Sequence, residues 1–373
     1  MNLAVNDRPS ILNARGEDER TSGPAAGARD VMSFREPEFS NLDFLISEVR
    51  GAMRDLQRAD GHWVFEFEAD ATIPAEYIML RHFLGEPEDP RVQKIANYLR
   101  GIQQEEGGWP LFYKGSFDLS ATVKAYLALK LAGDDPDAEH MARARNLILA
   151  HGGAAQANVF TRIALALFGQ VPWHAVPEMP VEIMLLPRWF PFHLSKVSYW
   201  SRTVIAPLLI LMALKPRARN PRGVRIDELC RCHPDDERYP TNATGDARGA
   251  FFAGLDKLLR TTSRRFPKGS RKRAIDKAVE FIAPRLNGED GLGGIFPAMA
   301  NAVMAYHALG RPSDDPDYAI ARESVEKLLI DRGPDKMYCQ PCLSPVWDTC
   351  LAAHAMLEAG EDPEFVARRL IIL

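Results

Sequence analysis

Hydrophobic residues recur at helical spacing along most of the chain. Segments such as "IPAEYIMLRHFLG" and "DLSATVKAYLALKLAG" place apolar side chains three and four positions apart, and the alternation of a half-buried strand is hard to find. Residues 1–38 differ, because they are polar, contain scattered Gly, Pro, Arg and Asp, and have no period. The pattern predicts an all-α protein that follows a disordered segment at residues 1–38.

Four of the most apolar helices are predicted to end in the same way. Each meets a glycine, which closes a helix by adopting the left-handed conformation, and an Asp-Pro pair follows a few residues later. Aspartate accepts hydrogen bonds at a helix start, and proline has no N–H group to leave unpaired there. The glycines are Gly85, Gly133, Gly310 and Gly360, and the pairs begin at Asp89, Asp135, Asp315 and Asp362.

The helices also alternate in character. Those that end at these glycines are apolar all round, whereas those that follow Asp-Pro, such as "RVQKIANYLRGIQQ", carry more charge. Helices of both kinds can bury their apolar surface when the apolar helices form an inner ring and the amphipathic helices cover it. We therefore predict an α/α toroid, or barrel, of concentric inner and outer helices.

A second repeat combines glutamine, glycine and tryptophan where an outer helix ends. The glycine supplies a turn, the glutamine amide can hydrogen-bond to backbone groups at a neighbouring helix end, and the indole can stack on that amide. An ordinary glycine cap followed by chance by tryptophan is the alternative, which two copies in one register disfavour. A third site is degenerate, with Leu286 and Leu292 in place of Gln and Trp. The two copies are Gln57, Gly61, Trp63 and Gln103, Gly107, Trp109.

Composition and charge narrow the class of function. The formal net charge is −4 and the isoelectric point is about 6.2, which gives no reason to expect nucleic acid as a partner. An odd number of cysteines, five, and the lack of an apolar segment in residues 1–20 favour a cytoplasmic protein with free thiols. The longest apolar run, residues 203–214, is too short to span a bilayer and contains Pro207.

Longer stretches carry a specific resemblance. "VFTRIALALFG", "MPVEIMLLPRWFPF", "SYWSRTVIAPL" and "SPVWDT", with the Gln–Gly–Trp repeat, resemble bacterial squalene–hopene cyclases, and the likeness covers nearly all of the chain beyond residue 38. The resemblance implies the first barrel of a two-barrel triterpene cyclase and the start of the second. Residues 39–64 would form a helix that packs with the second barrel, residues 65–340 the first barrel, and residues 341–373 the beginning of a truncated second barrel.

The resemblance also implies an activity, a partner and a location. The family protonates squalene without a cofactor or metal and closes its rings through carbocations, giving hopene or hopanol in hopanoid biosynthesis. A monotopic enzyme would take squalene from the membrane surface, on the cytoplasmic face of the inner membrane, with no transmembrane helix and no signal peptide. A homodimer, or pairing with a missing C-terminal half, is the expected kind of assembly.

The family's initiating acid is absent from these residues. In the family an Asp-x-Asp-Asp motif follows "SPVWDT" by several tens of residues, and the sequence reaches Leu373 without one. Because alkenes are very weak bases, protonation needs a positioned and unusually strong acid. We therefore expect this chain alone to be inactive. The alternative is a non-catalytic lipid-binding toroid, or a half-enzyme that acts with a separate C-terminal chain.

The resemblance places five residues around the reacting cation. A hydrocarbon cation has no lone pair to bind, and aromatic faces stabilise it through their quadrupole. Phe160, Trp200 and Trp347 match such cation-stabilising positions, and Ile295 and Pro297 match a stretch that shapes the cavity. From periodicity alone, packing in the core is the more common use of such residues.

Three further residues have roles only through the resemblance. Glu76 lies among apolar neighbours on an inner helix and matches the polar network where the final cation is quenched; a structural hydrogen bond is the alternative. Val197 and Ile205 match a constriction between the substrate channel and the cavity, and ordinary helix packing would explain them equally well.

Two metal motifs are weighed and set aside. "DDPDAE" and "DDPDY" resemble magnesium–diphosphate motifs, and a magnesium-dependent prenyl-diphosphate enzyme would use Asp134 and Asp135. Both motifs fall in the turns of the repeat, where helix capping explains them. Cys339-x2-Cys342 and Cys230-x-Cys232-His233 could together bind zinc, but nothing in the sequence brings them together. We expect no metal.

A basic stretch extends from Arg260 to Arg273 and holds seven Lys and Arg residues. A solvated loop is the simplest interpretation. Contact with anionic lipid head groups is the functional alternative, at about 1 kcal/mol per basic residue near a membrane surface. Nucleic acid is less favoured, because no aromatic residues are interleaved with the charges.

Overall fold

The computed structural model describes residues 41–240, 245–263, 266–287 and 291–367. The predicted disordered segment, residues 1–38, lies outside these ranges. The chain divides into two compact units, Met1–Ala52 and Met53–Leu373. The helix Leu42–Asp55 crosses the boundary between them and contains no buried residue.

Helices account for most of the described residues, in agreement with the predicted all-α class. They are α1 (Leu42–Asp55), α2 (Thr72–Leu84), α3 (Pro90–Gly101), α4 (Leu119–Ala132), α5 (Glu139–Ala150), α6 (Val159–Leu167), α7 (Tyr199–Leu214), α8 (Ala247–Thr262), α9 (Lys268–Ile282), α10 (Phe296–Ala308), α11 (Pro316–Glu326), α12 (Pro345–Glu358) and α13 (Pro363–Ala367).

Within the larger unit the helices form the two layers of an α/α toroid. Helices α2, α4 and α10 are buried almost all round, whereas α3, α5 and α11 bury only part of their surface. Inner helices pack on one another in the order α7, α10, α2, α4 and α6, so α2, the first of them along the chain, contacts α10, the last. This alternation of buried and half-buried helices confirms the prediction made from the hydrophobic pattern.

The predicted helix ends are present, with one exception. Gly85 and Gly133 follow α2 and α4 with left-handed φ values of 83° and 111°. Asp89 caps α3 by accepting a hydrogen bond from the N–H of Arg91 at 3.0 Å. Asp135 does not begin a helix, because its carboxylate accepts the N–H of Asp137 in a tight turn and α5 starts only at Glu139.

A short hairpin departs from the purely helical prediction. Leu329–Asp331 (β1) pairs antiparallel with Met337–Cys339 (β2), with Leu329 opposite Cys339. The second strand is fully buried and packs against α3. Three residues a strand give too short an alternation to recognise in the sequence.

The carboxyl ends of three inner helices meet one crossing segment, residues 216–225. Its N–H groups and one guanidinium donate to carbonyls in the last turns of these helices, where a helix leaves carbonyls unpaired. Because the carboxyl ends gather at this segment, the amino ends of the same helices lie together at the opposite end of the ring. The pairs are Ala218 to Leu167 of α6, Arg219 to Phe83 of α2, and Arg222 to Leu131 of α4.

A second hydrophobic cluster is separate from the main core. It joins Trp63 to Met356 of α12 and to Val366 of α13. Arg54 adds a bidentate ion pair to Glu361, with both contacts at 2.6 Å. Residues near both ends of the described chain therefore share one small core. That this cluster begins a second barrel, with the boundaries given above, stays a prediction.

Candidate functional site

The candidate residues gather at the amino ends of inner helices. Phe160 is the second residue of α6, Trp200 is the second residue of α7, and Trp347 is the third residue of α12. Pro297 is the second residue of α10, and Glu76 lies in the second turn of α2. The amino ends of α2, α4 and α6 lie together, and the starts of the other three helices are joined to this end. Gly293, ahead of α10, lies against Thr203 of α7, Ile295 bridges to Cys342 ahead of α12, and the N–H of Phe67, ahead of α2, donates to Gln340. These side chains therefore belong to one end of the unit. We call this end the mouth.

The three predicted cation-stabilising rings do not pack in the core. Phe160 is 59% exposed, Trp200 is 57% exposed and Trp347 is 72% exposed. Core packing, the more common use of such residues, is therefore wrong for all three. Trp200 lies edge-on to Tyr199, with ring centroids 5.5 Å apart. The mouth thus presents bare aromatic faces to solvent.

The segment before α10 is tied to the segment before α12. Ile295 forms an isolated antiparallel bridge with Cys342, and the N–H of Phe296 donates to the carbonyl of Pro341 at 2.8 Å. Pro297 occupies the first turn of α10, where its ring fits without losing a hydrogen bond. Ile295 and Pro297 are both partly buried, so they are held rigidly beside the start of α12.

Glu76 is paired with a residue that the sequence reading did not single out. The ammonium of Lys124, on α4, donates to Glu76 Oε1 at 2.5 Å. The side chain of Lys124 is only 7% exposed and that of Glu76 is 24% exposed. Glu76 is therefore an ion-pair partner on the inner wall. A charged residue inside the otherwise apolar run "TVKAYLALKLAG" was the signal that could have identified Lys124.

Val197 and Ile205 have different environments. Val197 follows a short 3-10 turn ahead of α7 and is 40% exposed. Ile205 lies two turns into α7 and packs, half-buried, against the main core. The described contacts do not join the two side chains directly.

The two copies of the Gln–Gly–Trp repeat have closely matched geometry. The glutamine amide donates back to the glycine carbonyl, from Gln57 to Gly61 at 2.9 Å and from Gln103 to Gly107 at 2.8 Å. Gln103 makes a second bond, to the carbonyl of His140 in the first turn of α5, at 2.9 Å. The glutamine thus bonds its own turn and, in the second copy, also a neighbouring helix end.

Each tryptophan of the repeat is completely buried and links three segments. Its indole N–H donates to the preceding helix, from Trp63 to Met53 at 2.8 Å and from Trp109 to Leu99 at 2.9 Å. Its backbone N–H donates to a threonine hydroxyl of a neighbouring helix. The threonines are Thr349 of α12, at 2.9 Å, and Thr122 of α4, at 3.0 Å.

Gly107 is needed for close approach as well as for its turn. Its φ is +100°, and a Cβ atom there would lie 2.6 Å from the Cβ of Arg143 on α5. No larger residue fits this position without moving α5.

The acidic and cysteine motifs have structural partners. Asp134 is 4% exposed, accepts a bidentate contact from Arg100 and lies 2.6 Å from the imidazole of His140. Burial raises the pKa of the Cys339 thiol well above its usual value, which disfavours the thiolate that zinc requires. Among the described residues, no group of three or more His, Cys, Asp or Glu could hold a metal ion.

An exposed aromatic patch was not predicted from the sequence. Its rings join the loop before α7 to α8, with centroids of neighbouring rings 5.5–6.5 Å apart, and α8 contains no buried residue. Trp189 is 78% exposed, and Phe251 is 58% exposed. We call this set the aromatic patch: Trp189, Phe190, Phe192, Phe251 and Phe252.

The basic stretch beside this patch is more structured than the predicted solvated loop. Its described parts are the end of α8 and the beginning of α9. Arg260 donates to Asp256 and to the carbonyl of Val176, each at 2.7 Å. Arg271 donates to Glu182 at 3.2 Å. These two arginines hold α8 and α9 against the preceding loop, so the solvated-loop interpretation is wrong for them.

The apolar run in α7 does not make a membrane span. Across the described ranges, every helix is either too short or too polar to cross a bilayer.

Comparisons with known proteins give a consistent family. Residues 46–333 match the model of the squalene-hopene cyclase N-terminal domain. The squalene–hopene cyclase of Zymomonas mobilis is 57% identical over 333 residues, which are 87% of this chain and 50% of that protein. Its counterpart from Bradyrhizobium diazoefficiens is 53% identical over 340 residues, 90% of this chain and 51% of that protein. The chain therefore spans about half the length of the curated relatives it matches.

Proposed function

Because the chain belongs to the squalene–hopene cyclase family, we propose that it forms one wall of a cavity in which squalene is protonated and cyclised to hopene or hopanol. The observation that carries the proposal is the 57% identity to a squalene–hopene cyclase across 87% of this chain. The mouth supports it, because its exposed aromatic faces suit a hydrocarbon and a carbocation better than a polar substrate. Each dry aromatic face would stabilise the cation by roughly 0.5–2 kcal/mol.

The exposure of the rings limits what these residues do by themselves. A carbocation is captured by any water it meets, so the cavity must be closed during cyclisation. Phe160, Trp200 and Trp347 are all more than half exposed within the described chain. We therefore propose that residues 1–373 alone, which also contain no Asp-x-Asp-Asp, bind squalene without turning it over.

The polar and channel residues receive narrower proposals. Glu76 is the one carboxylate in α2, and we assign it to the network that ends the cascade. Val197, exposed ahead of α7, and Ile205, anchored in the core, would line the approach to the cavity. The Gln–Gly–Trp repeat is assigned a structural role, since each copy bonds its turn to a neighbouring helix.

A chimera tests the cyclase proposal most directly. The corresponding segment of the Zymomonas mobilis relative is replaced with residues 41–367 of this chain, and squalene products are analysed by gas chromatography. We expect hopene from the chimera and a large loss of product when Trp347 is changed to Leu. The control Leu214→Val, at an exposed position in the last turn of α7 and so away from the mouth, should retain product.

Two results separate the alternatives. A folded chimera that binds squalene but forms no product would favour the non-catalytic lipid-binding toroid. A chimera that neither binds nor converts squalene would contradict the proposed function altogether.

We also propose that the aromatic patch rests on a membrane surface. Exposed apolar patches of this kind mark interaction sites, and aromatic residues favour the bilayer interface. Lys272 and Arg273 are exposed near the start of α9, the helix that follows α8, and would meet anionic head groups. This arrangement supports a monotopic location, and the inner leaflet is the expected one.

Vesicle sedimentation tests the membrane proposal. Burying one Phe side chain contributes about 1.5–3 kcal/mol, so the double change Phe251→Ser and Phe252→Ser should reduce binding to mixed anionic vesicles at least tenfold. Phe112→Ser, which removes a ring that is 67% exposed elsewhere, is the matched control. Equal loss in both variants would contradict docking through the aromatic patch.

A further inference from the structure

We propose that Lys124 is a positioning residue that neutralises and orients Glu76, so that this pair adds no net charge at the mouth and offers a single carboxylate oxygen to a cation. The inference rests on the proposed function, because it assumes that the mouth receives a hydrocarbon and its cation.

The contact between the two side chains is short and protected. Lys124 Nζ lies 2.5 Å from Glu76 Oε1, and Lys124 is 6% exposed as a residue. The two residues come from adjacent inner helices, α2 and α4, which pack closely along the ring. A buried ammonium without a partner is strongly unfavourable, so this lysine is held by the carboxylate rather than by solvent.

The two oxygens of Glu76 have different roles. Oε1 accepts from Lys124 and is fixed by that bond. Within the described residues, Oε2 has no hydrogen-bond partner. It is also not one of the unpaired polar atoms that are buried there, so it is accessible. With Oε1 tied to Lys124, the carboxylate plane is set, and Oε2 remains the one oxygen available to a water molecule or to a proton of the substrate cation.

The chemistry of the cavity explains why such pairing matters. A bare carboxylate beside a carbocation can donate a lone pair to carbon, forming a C–O ester bond and ending the reaction as a covalent adduct. The same oxygen can instead accept a proton from the carbon next to the cation, whose C–H electrons then form the alkene. Hydrogen bonding to Lys124 withdraws charge from the carboxylate, which weakens the first reaction and leaves a defined acceptor for the second.

The pair can be tested by binding alone, on the whole 373-residue chain. The probes are squalene, which is neutral, and dodecyltrimethylammonium, which carries a fixed positive charge on a hydrocarbon chain. Tryptophan fluorescence reports both titrations, since Trp200 and Trp347 lie at the mouth. If the pair is purely structural, its removal should change the affinities for both probes together. If the pair sets the local charge, its removal should change only the affinity for dodecyltrimethylammonium.

The four variants have distinct expected outcomes. Lys124→Met leaves an uncompensated carboxylate and should tighten ammonium binding about tenfold, whereas Glu76→Gln leaves an uncompensated ammonium and should weaken it about tenfold. The double variant restores neutrality and should return to the original affinity. Lys277→Met, on the exposed side of α9, should change nothing. Squalene affinity should stay constant throughout.

The failures are distinguishable. If squalene does not bind the unmodified chain, the proposed function is wrong. If squalene binds but ammonium affinity is the same in Glu76→Gln as in the unmodified chain, the role assigned to Lys124 is wrong. Because Glu76→Gln and the double variant each give a reading, a Lys124→Met protein that fails to fold does not prevent the decision.

Discussion

Replacing the glutamine of the Gln–Gly–Trp repeat should cost different amounts in its two copies. The Gln103 amide donates to two carbonyls, those of Gly107 at 2.8 Å and His140 at 2.9 Å. The Gln57 amide donates to one, that of Gly61 at 2.9 Å. Methionine has a similar length and flexibility but no donor, so the change Gln→Met removes the bonds while retaining most of the packing.

The size of each effect follows from the number of bonds. A net intramolecular hydrogen bond contributes about 1 kcal/mol, and a carbonyl left without its partner adds to the loss. Gln103→Met should therefore lower the free energy of unfolding by about 2 kcal/mol, and Gln57→Met by about 1 kcal/mol. Both glutamines are half-buried, so solvent replaces the lost donor only in part.

Urea unfolding followed by circular dichroism and by tryptophan fluorescence measures these differences. Circular dichroism follows the loss of helix throughout the chain. Tryptophan fluorescence adds a signal from the packed clusters, because Trp63 belongs to the second cluster and Trp109 to the main core. The control is Gln156→Met, at an exposed glutamine whose amide contact is 3.5 Å long. An equal or larger loss in Gln57→Met than in Gln103→Met would refute the assignment of the repeat as a hydrogen-bonded staple.

Three further changes test other parts of the fold. Burial, with a smaller effect from Arg222, lowers the pKa of His82 to about 4, so the unfolded chain binds the proton first as the pH falls below 6.5. Stability should drop by about 2 kcal/mol between pH 7 and pH 5 in urea unfolding, and His82→Leu should lack this component. Thr349→Val removes the hydroxyl that bonds both the N–H and the carbonyl of Trp63, at 2.9 and 3.1 Å, and should shift the unfolding midpoint of the second cluster alone. Gly133→Ala introduces a Cβ at φ +111° and should cost about 1 kcal/mol or more by thermal unfolding, with no loss if this left-handed turn is unimportant.

Local features of the sequence predicted the fold where the chemistry is local. Glycine at 85 and 133 ends a helix because it alone adopts a left-handed φ at little cost, and Asp89 begins one through a bond to the N–H two residues later. Asp135 shows the limit of this reasoning. Its Asp-Pro pair has the same composition, but the chain makes a turn first, and α5 begins four residues later at Glu139.

Features that depend on distant residues were not predictable in this way. The crossing segment at residues 216–225 is rich in arginine and proline, and its partners, the carboxyl ends of α2, α4 and α6, come from elsewhere in the chain. The pairing of Lys124 with Glu76 joins residues 48 positions apart. Exposure of Trp200 and Trp347 depends on which surfaces the ring leaves uncovered, whereas hydrophobicity alone favours burial.

Photochemical labelling tests most directly whether the mouth is the squalene-binding wall. A squalene analogue carrying a diazirine is irradiated with the 373-residue chain in detergent, and the labelled peptides are identified by mass spectrometry. The account predicts adducts at the amino ends of α6, α7 and α10, near Phe160, Trp200 and Pro297, with competition by unlabelled squalene. Adducts confined to the aromatic patch, or spread without competition over the outer helices, would contradict it.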